Sequence, residues 1–387
     1  MLTSTLRENG LDIEELLRAG IASLDLTDAQ YQKAVREYHA IAKHLDENQD
    51  FCERHSPDIY PQGSMDLGTC VRPLHRTEFD LDIVVVMNGA QYMTLEETMD
   101  DLEKALNGFA KNPTTISRLD RCFRINYPGD FHIDLLPVRP NPTPQNLTAI
   151  QLPDCKSLLW RPSDPKSYKI YFELAKARVL PTSRSFEAVI NSKNASIAPA
   201  PKQTTQQNKS ILQFAVQLLK RHRDLFFEDR NDATSSAIIT TLSSQAYIGH
   251  QNIEDAVLEI LFTMDSFVRP VAPRVPNPRY LVEDYADRWP HVPPSREIAF
   301  GEWLKQARID FGRISDLKLK TASNSLQPIL GKEAAEAALR TFDQMGISGL
   351  RAAGNLGSDR KTGFLGVVAA SASVLPVGGT SFFGDKP

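Results

Sequence analysis

The sequence predicts an α+β fold, with a mixed or antiparallel sheet lobe in residues 1–200 packed against a mainly helical lobe in residues 201–365, and a tail in 366–387. Two short apolar runs that carry acidic residues, at 78–86 and 130–138, are typical of strands. Apolar residues recur at helical spacing through most of the second half. A chain of 387 residues is long enough to form two such lobes.

The composition narrows the class of protein. Hydrophobic residues make up 41% and charged residues 24%, which is ordinary for a globular protein. The net charge is −4, whereas constitutive binders of duplex nucleic acid usually carry a basic excess, so we expect no such binding. The four cysteines lack paired spacing, and no signal pattern or run of 18 apolar residues occurs. We therefore expect a cytoplasmic protein with free thiols and no membrane association.

Local patterns predict the elements of the first half in order. A capping box at 27–30 begins a helix that reaches about Glu47 and is expected behind the sheet. After it the predicted elements are a Gly-Ser turn, an acidic strand, a helix over 95–109, and a strand hairpin over 121–138 with its turn at Pro128-Gly129. Such a hairpin would place its second strand beside the acidic strand.

The remainder is predicted to be loops and helices. Residues 139–165 are proline-rich and indicate a crossing loop, and the small polar residues of 191–207 indicate a mobile loop. The predicted helices cover 163–178, 209–227, 235–248, 253–267, 295–314 and 332–345.

An acidic doublet follows the Gly-Ser turn. In a strand, side chains at i and i+2 share a face, so Asp80 and Asp82 point the same way. Two adjacent carboxylates repel unless a cation stabilises them. Gly63 would allow backbone N–H groups to approach a phosphate, and Ser64 adds a hydroxyl donor. This arrangement suits a nucleoside triphosphate with its Mg²⁺.

A third carboxylate lies in the apolar segment FHIDLLPV. Asp134 is the single acid there, and buried acids are rarely left unpaired. It is expected either to share metal ions with the doublet or to form a structural ion pair with Arg121 or Arg124.

Together these features resemble a known class of enzymes. The Gly-Ser turn, the Asp-Leu-Asp strand and the later strand Asp resemble the nucleotidyltransferase fold of the polymerase-beta type. The stretches QGSMDLGTCVRP…EFDLDIVVV, W-x-x-S-D-P at 160–165 and LLKRHRD…SSAIITTLSSQAY look like the bacterial CD-NTases, the cyclic GMP-AMP synthase and DncV-like enzymes of CBASS anti-phage signalling. The similarity runs from about Gln62 to Trp289.

The resemblance implies roles for particular residues. It implies that two Mg²⁺ ions, or Mn²⁺ in their place, bind to Asp80, Asp82 and Asp134. It implies that the nucleoside triphosphate contacts Gln62, Gly63, Ser64, Lys220 and Ser236, with Ser235 as an equally available hydroxyl. The alternative for Lys220 is a solvated helix end within a run of charges, and the two serines could simply cap a helix.

The resemblance also implies an activity. NTPs, with ATP as the expected donor, would be converted to a cyclic di- or trinucleotide by successive attack of ribose hydroxyls on the α-phosphate, with release of pyrophosphate. The product would act through a cyclic-nucleotide-responsive effector. Competing interpretations are nucleotidyl transfer to a protein, RNA or small-molecule acceptor, and a catalytically silent nucleotide sensor.

The tail suggests a further partner. Phe382-Phe383-Gly384 resembles the glycine-type C-terminus that an E1/E2-like ligase joins to targets in some CD-NTase systems. Here Asp385-Lys386-Pro387 follow the glycine, so conjugation would require trimming.

Overall fold

A computed structural model shows a mixed sheet combined with a cluster of helices, which confirms the predicted α+β class. The residues that it describes are 13–74, 79–110, 114–129, 131–178, 190–191, 196–289, 295–316, 322–352, 356–359, 365–367 and 374–376. The helices are α1 Ile13–Leu24, α2 Asp28–Glu47, α3 Gln49–His55, α4 Gly63–Asp66, α5 Leu95–Ala105, α6 Pro165–Lys176, α7 Ile211–Phe226, α8 Ser236–Ala246, α9 Ile253–Thr263, α10 Arg296–Gly312, α11 Ala322–Leu330 and α12 Lys332–Ala352. The strands are β1 Asp58–Gln62, β2 Phe79–Val86, β3 Thr115–Arg118, β4 Phe123–Tyr127, β5 Phe131–Pro140, β6 Ile150–Asp154, β7 Leu159–Ser163, β8 Ile190–Asn191, β9 Ser196–Ile197, β10 Pro276–Asn277, β11 Tyr280–Asp284, β12 Leu356–Asp359, β13 Leu365–Val367 and β14 Val374–Pro376.

The large sheet places β2 at its centre. Its strand order is β3-β4-β5-β2-β1-β9-β8, and β6 and β7 continue from β5. Strand β2 runs parallel to β5 and antiparallel to β1, so the sheet is mixed. A central strand has both neighbours hydrogen-bonded along it, which holds its side chains in a fixed register.

The two faces of β2 have different surroundings. Leu81 and Ile83 are buried in one core with α2 and α5, whereas Asp80 and Asp82 lie on the other face. Helix α2 therefore packs behind the sheet, as predicted, and the capping box of Thr27 and Gln30 begins it. The acids are left facing the helical lobe.

The helices form a second core. Its members come from α7 to α12 and also from α1 and α6, through side chains such as Leu16 and Phe172. The predicted boundary at residue 200 assigns α1 and α6 to the sheet lobe. In the structure, both helices pack in the helical core. A boundary inferred from chain order does not show that an N-terminal helix buries its apolar face against C-terminal helices.

Two predicted loops contain strands. Within 139–165 the chain forms β6 and β7, and Pro162 is tolerated because β7 lies at the sheet edge. Within 191–207, β9 pairs with β1, and Tyr38 Oη donates a 2.6 Å hydrogen bond to the Ala198 carbonyl. Residues 192–195 of that predicted mobile loop lie outside the described residues.

None of the helices that the structure describes combines the length and the apolar character that crossing a bilayer requires. The four cysteines are unpaired thiols, as predicted.

Candidate active site

The register of the central strands brings the three acids together. Asp82 on β2 has Asp134 on β5 as its Cα partner on one side and Gln62 on β1 as its partner on the other. Asp80 lies two residues earlier on the same face, opposite His132. Three carboxylates therefore lie on two adjacent strands. Asp80 and Asp82 line the cleft between the lobes, and Asp134 is not among its lining residues.

The Gly-Ser turn packs directly against this row. Gly63 follows β1 with φ +69°, a conformation that favours glycine, and begins the short helix α4. A Cβ atom at Gly63 would lie 2.5 Å from Oδ2 of Asp82. The glycine thus allows the turn and the carboxylate to approach each other closely. Ser64 Oγ lies 3.3 Å from Cys70 Sγ at the cleft wall.

The charges of the acids are only partly compensated. Burial, together with the neighbouring charges of Asp80 and Asp134, raises the pKa of Asp82 to about 7. The side chain of Asp80 is 60% exposed and contacts the imidazole of His132. This contact is a hydrogen bond that raises the pKa of His132. Asp82 is the acid whose ionised form most needs an added cation.

Asp134 forms an ion pair with Arg124, one of the two arginines that the sequence analysis named as candidates. The Nε and Nη2 atoms of Arg124 each donate a 2.7 Å hydrogen bond to its carboxylate, and these bonds raise the pKa of Arg124. Arg121, the other predicted partner, pairs instead with Asp154 and Asp287.

The three carboxylates therefore do not form a preorganised metal-binding cluster. No group of three His, Cys, Asp or Glu side chains converges as metal ligands within the described part of the chain. Two of the three acids instead take their positive partners from a histidine and an arginine. The donor set still fits a hard divalent cation, because it offers carboxylate oxygens only and leaves Asp82 poorly compensated.

Lys220 on α7 reaches the cleft from the helical lobe. Its Nζ donates to Oγ1 and the carbonyl of Thr69, at 3.0 and 3.2 Å. The residue is 6% exposed, and burial lowers its pKa to about 8. The alternative of a solvated helix end is therefore wrong.

The two adjacent serines have different surroundings. Ser235 is the N-cap of α8, and its Oγ accepts a 3.4 Å hydrogen bond from the Ile238 N–H. Ser236 lines the cleft together with Ser64 and Lys220. The geometry thus favours Ser236 as the ligand-facing hydroxyl and Ser235 as the cap.

The cleft has a volume of about 360 Å³. Seven of the residues singled out from the sequence line it, namely Gln62, Gly63, Ser64, Asp80, Asp82, Lys220 and Ser236. Sequence reasoning assigned no site role to seven polar residues of its wall, namely Asp66, Arg121, Ser163, Tyr168, Thr240, Glu283 and Tyr285. Ser163 belongs to the W-x-x-S-D-P segment, which could have indicated it. The others carry no local signal.

A buried carboxylate explains the Ser-Asp pair of that segment. Glu283 on β11 accepts hydrogen bonds from Ser163 Oγ at 2.6 Å, from the Asp164 N–H at 3.0 Å and from Asn277 Nδ2 at 2.7 Å. Burial raises the pKa of Glu283 to about 7. This clamp ties β7 and the start of α6 to β11 at the floor of the cleft.

We expect Gly63→Ala to lower the catalytic rate by roughly a hundredfold, because the new Cβ would displace the Asp82 carboxylate. The left-handed backbone would also cost about 1–2 kcal/mol of stability. Gly108→Ala is the matched control, since Gly108 has φ +79° and nothing within 4 Å of its added Cβ. Kinetics and thermal melts should show equal destabilisation but a loss of rate in Gly63→Ala alone. Equal rates would contradict the contact.

The adjacent serines allow a paired test. Ser236→Ala should raise the KM for the charged ligand of the cleft by roughly tenfold, because a hydrogen bond to a charged group is lost, and should leave Tm unchanged. Ser235→Ala should leave KM unchanged and cost about 1 kcal/mol, because it removes the cap of α8. Steady-state kinetics and melting curves check both variants. The reverse pattern would assign the ligand contact to Ser235.

Strand carboxylates, a glycine turn and a buried lysine around one cleft are the parts of a nucleotidyltransferase site. Residues 13–173 match the family model of the Second Messenger Oligonucleotide or Dinucleotide Synthetase domain, SMODS. Over 287 residues the chain is 30% identical to a c-di-GMP synthase of Roseivirga ehrenbergii, covering 73% of this chain and 74% of that protein.

Proteins of two other bacteria are also similar to this chain. Cyclic dinucleotide synthase CdnG of Bradyrhizobium diazoefficiens is 25% identical over 346 residues, 83% of this chain and 81% of the relative. Its structure in complex with GTP superposes with a TM-score of 0.67 at 22% identity, covering 86% of this chain and 99% of that one. The cyclic AMP-GMP synthase DncV of Vibrio cholerae, bound to nonhydrolyzable GTP, gives a TM-score of 0.52 at 15% identity, covering 86% and 84%.

This chain belongs to the bacterial CD-NTase family. These comparisons confirm the predicted family and the predicted fold, which is that of the cyclic GMP-AMP synthase and DncV-like enzymes. They also confirm the predicted enzyme class, a nucleotidyltransferase that makes cyclic oligonucleotides.

Proposed function

We propose that this enzyme joins two nucleoside triphosphates into a cyclic dinucleotide and that GTP is its main substrate. The observation that carries the proposal is the parallel pairing of β2 with β5, which sets Asp82 beside Asp134 opposite Lys220. The sequence alone favoured ATP and left the ring size open. The c-di-GMP synthase and the CdnG enzyme favour guanine and two nucleotides.

Enzymes of this family generally use divalent metal ions. Asp80, Asp82 and Asp134 would hold them here, and bound Mg²⁺ or Mn²⁺ would supply positive charge to the triphosphate and acidify the attacking hydroxyl. Asp134 would take part by sharing its carboxylate with Arg124.

The chain's own groups act on the triphosphate from both sides of the cleft. Lys220 supplies a buried positive charge, and Ser64 and Ser236 supply hydroxyl donors. The close turn at Gly63 keeps the backbone near the reacting phosphates. Donors preorganised in a partly dry cleft stabilise developing charge more strongly than water does.

The experiment is product analysis. Purified protein is incubated with labelled GTP, ATP or both in Mg²⁺ or Mn²⁺, treated with phosphatase and examined by mass spectrometry. We expect a phosphatase-resistant cyclic dinucleotide containing guanine, absent from the Asp80→Ala/Asp82→Ala variant. A cyclic product without guanine, a trinucleotide, or label transferred to an added acceptor would overturn the proposal.

The biological setting is part of the same proposal. A cytoplasmic enzyme of this kind would act in anti-phage defence through an effector that binds its product. Conjugation of the tail by an E1/E2-like ligase rests on residues 382–387, which lie outside the described residues. Intact-mass measurement with the ligase present tests it, and a tail that is neither trimmed nor conjugated would reject it.

A further inference from the structure

One face of α7 is polar although it is buried. Residues at i, i+4, i+7 and i+8 share a face of a helix. Four such residues of α7 are polar, and we call them the α7 row: Gln213, Gln217, Lys220 and Arg221. Their exposed fractions lie between 0 and 6%. A buried polar side chain costs free energy unless it is hydrogen-bonded, so the partners of the α7 row indicate its role.

All four side chains donate to carbonyl oxygens of one loop. This loop, residues 67–72, follows α4, and we call it the support loop. The bonds are Gln213 Nε2 to the carbonyl of Leu67 at 2.9 Å, Gln217 Nε2 to that of Cys70 at 2.6 Å, Lys220 Nζ to that of Thr69 at 3.2 Å, and Arg221 Nη2 to that of Arg72. Carbonyls of an irregular loop lack the regular partners of a helix or strand, and here α7 supplies them.

The support loop in turn holds the Gly-Ser turn. The Leu67 N–H donates to the Gly63 carbonyl at 3.2 Å, and the Thr69 N–H donates to the Ser64 carbonyl at 2.9 Å. Ser64 Oγ also lies 3.3 Å from Cys70 Sγ. A continuous series of hydrogen bonds therefore runs from α7 through the support loop to the turn that packs against Asp82.

The close packing of the support loop on α7 requires a glycine. Gly68 has φ +65°, and a Cβ atom there would lie 2.5 Å from Gln213 Nε2 and 2.7 Å from Thr204 Oγ1. A side chain at position 68 would push the loop away from the helix. The loop and the α7 row thus fit each other closely.

The hydrogen bonds also favour an anionic ligand at the turn. A carbonyl oxygen that faces a triphosphate repels it, whereas N–H and O–H groups attract it. The carbonyls of Gly63 and Ser64 are already used as acceptors within the protein. Lys220 has a second role in the cleft wall, so a bound triphosphate competes with Thr69 for its ammonium group.

We propose that Gln213, Gln217 and Arg221 are positioning residues of the nucleotidyl transfer. Through the support loop they hold the Gly-Ser turn in place against the acidic row of Asp80, Asp82 and Asp134, also when Lys220 turns from the loop to the triphosphate. Naming the triphosphate as the ligand of the turn rests on the proposed function; the hydrogen bonds do not.

Steady-state kinetics test this role. Gln217→Met and Arg221→Met remove the donors and keep unbranched side chains. Each should raise the KM for the nucleoside triphosphate by roughly tenfold and change kcat by less than about threefold, because the turn contacts the triphosphate in the ground state and the transition state alike. Arg221→Lys, which can still donate to the Arg72 carbonyl, should recover most of the loss. Gln213 is left unchanged, because it also accepts a hydrogen bond from the Ser210 N–H in the capping box of α7.

Lys209→Met is the matched control. Gln217 donates to Asp25 at 2.8 Å as well as to the support loop. Lys209 pairs with the same carboxylate, and within the described part of the chain its side chain forms no bond to the support loop. Loss of the Asp25 contact alone would lower Tm in both variants, whereas the raised KM is expected in Gln217→Met only.

Hydrogen exchange tests the same bonds without turnover. Peptides that cover residues 63–72 should exchange faster in Gln217→Met and in Arg221→Met than in the wild type, Arg221→Lys or Lys209→Met, because the loop opens more often when its carbonyls lose donors. Unchanged exchange of these peptides, a wild-type KM in both methionine variants, or an equally raised KM in Lys209→Met would overturn the proposal.

Calorimetry separates this proposal from the proposed function. A nonhydrolysable GTP analogue with Mg²⁺ should bind roughly tenfold more weakly to Gln217→Met and Arg221→Met than to the wild type and Lys209→Met. Faster exchange and weaker binding in a chain that makes no cyclic dinucleotide would contradict only the proposed function. Synthesis of the dinucleotide with unchanged binding in both methionine variants would contradict only the role of the α7 row.

Discussion

Asp82→Asn is expected to abolish cyclic dinucleotide synthesis, lowering the rate on the order of a thousandfold or more, because it removes the central charge of the acidic row. Asp82 lies between Gln62 and Asp134 in the sheet and against Gly63 in the turn. Asparagine keeps the shape, so the packing around Gly63 should survive.

The same substitution should raise Tm in EDTA at pH 8. The folded-state pKa of Asp82, about 7, exceeds the usual value of 3.8, so the folded protein loses stability as the pH rises towards 7 and carries the full cost above it. Asparagine removes that cost.

Asp154→Asn is the control, and its expected change in Tm is opposite to that of Asp82→Asn. Burial alone would raise the pKa of Asp154, but the hydrogen bond from Arg121 lowers it to about 2. A lowered carboxylate pKa stabilises the folded state at every pH above about 4, and that stability is lost as the pH falls through 2. Asp154→Asn should therefore lower Tm at pH 8. If Asp82→Asn were destabilised by the same amount, or kept more than a tenth of the activity, the assigned role of Asp82 would be wrong.

Local periodicity accounts for what the sequence could predict of this site. The period of two along β2 placed Asp80 and Asp82 on one face, and the capping box at Thr27 located the start of α2. A short turn at Gly129 forced β5 back along the sheet towards β2. Each of these signals lies within a few residues of its consequence.

Contacts between distant segments account for what was missed. Ser163 and Glu283 meet across 120 residues, and Tyr285 reaches the cleft from a loop whose sequence carries no strand or helix period. Side-chain charge pairing is equally non-local. Two arginines were candidates for pairing with Asp134, and only the register of β4 against β5 selects Arg124.

Lys220→Met should lower kcat/KM by roughly a hundredfold while leaving Tm unchanged or slightly higher. Among the residues that the structure describes, only oxygens of Thr69 accept hydrogen bonds from the buried ammonium group. Burial lowers its pKa to about 8, so the charge costs stability. Methionine fills the same space without that cost. The loss of activity follows because a buried positive charge facing a triphosphate contributes several kcal/mol that water would not supply.

Lys209→Met is the matched control, since Lys209 is also buried but pairs with Asp25 and lies away from the cleft. Removing it leaves the charge of Asp25 with the side-chain amides of Gln206 and Gln217 as its described partners, so Tm should fall and activity per folded molecule should persist. Melting curves and kinetics of both variants separate the two roles.

If Lys220→Met lost stability as Lys209→Met does and kept its kcat/KM, the role of Lys220 would be only to pack α7 against Thr69. The triphosphate would then need another source of positive charge, and Arg223, which lines the wall beside Lys220, would be the next residue to replace.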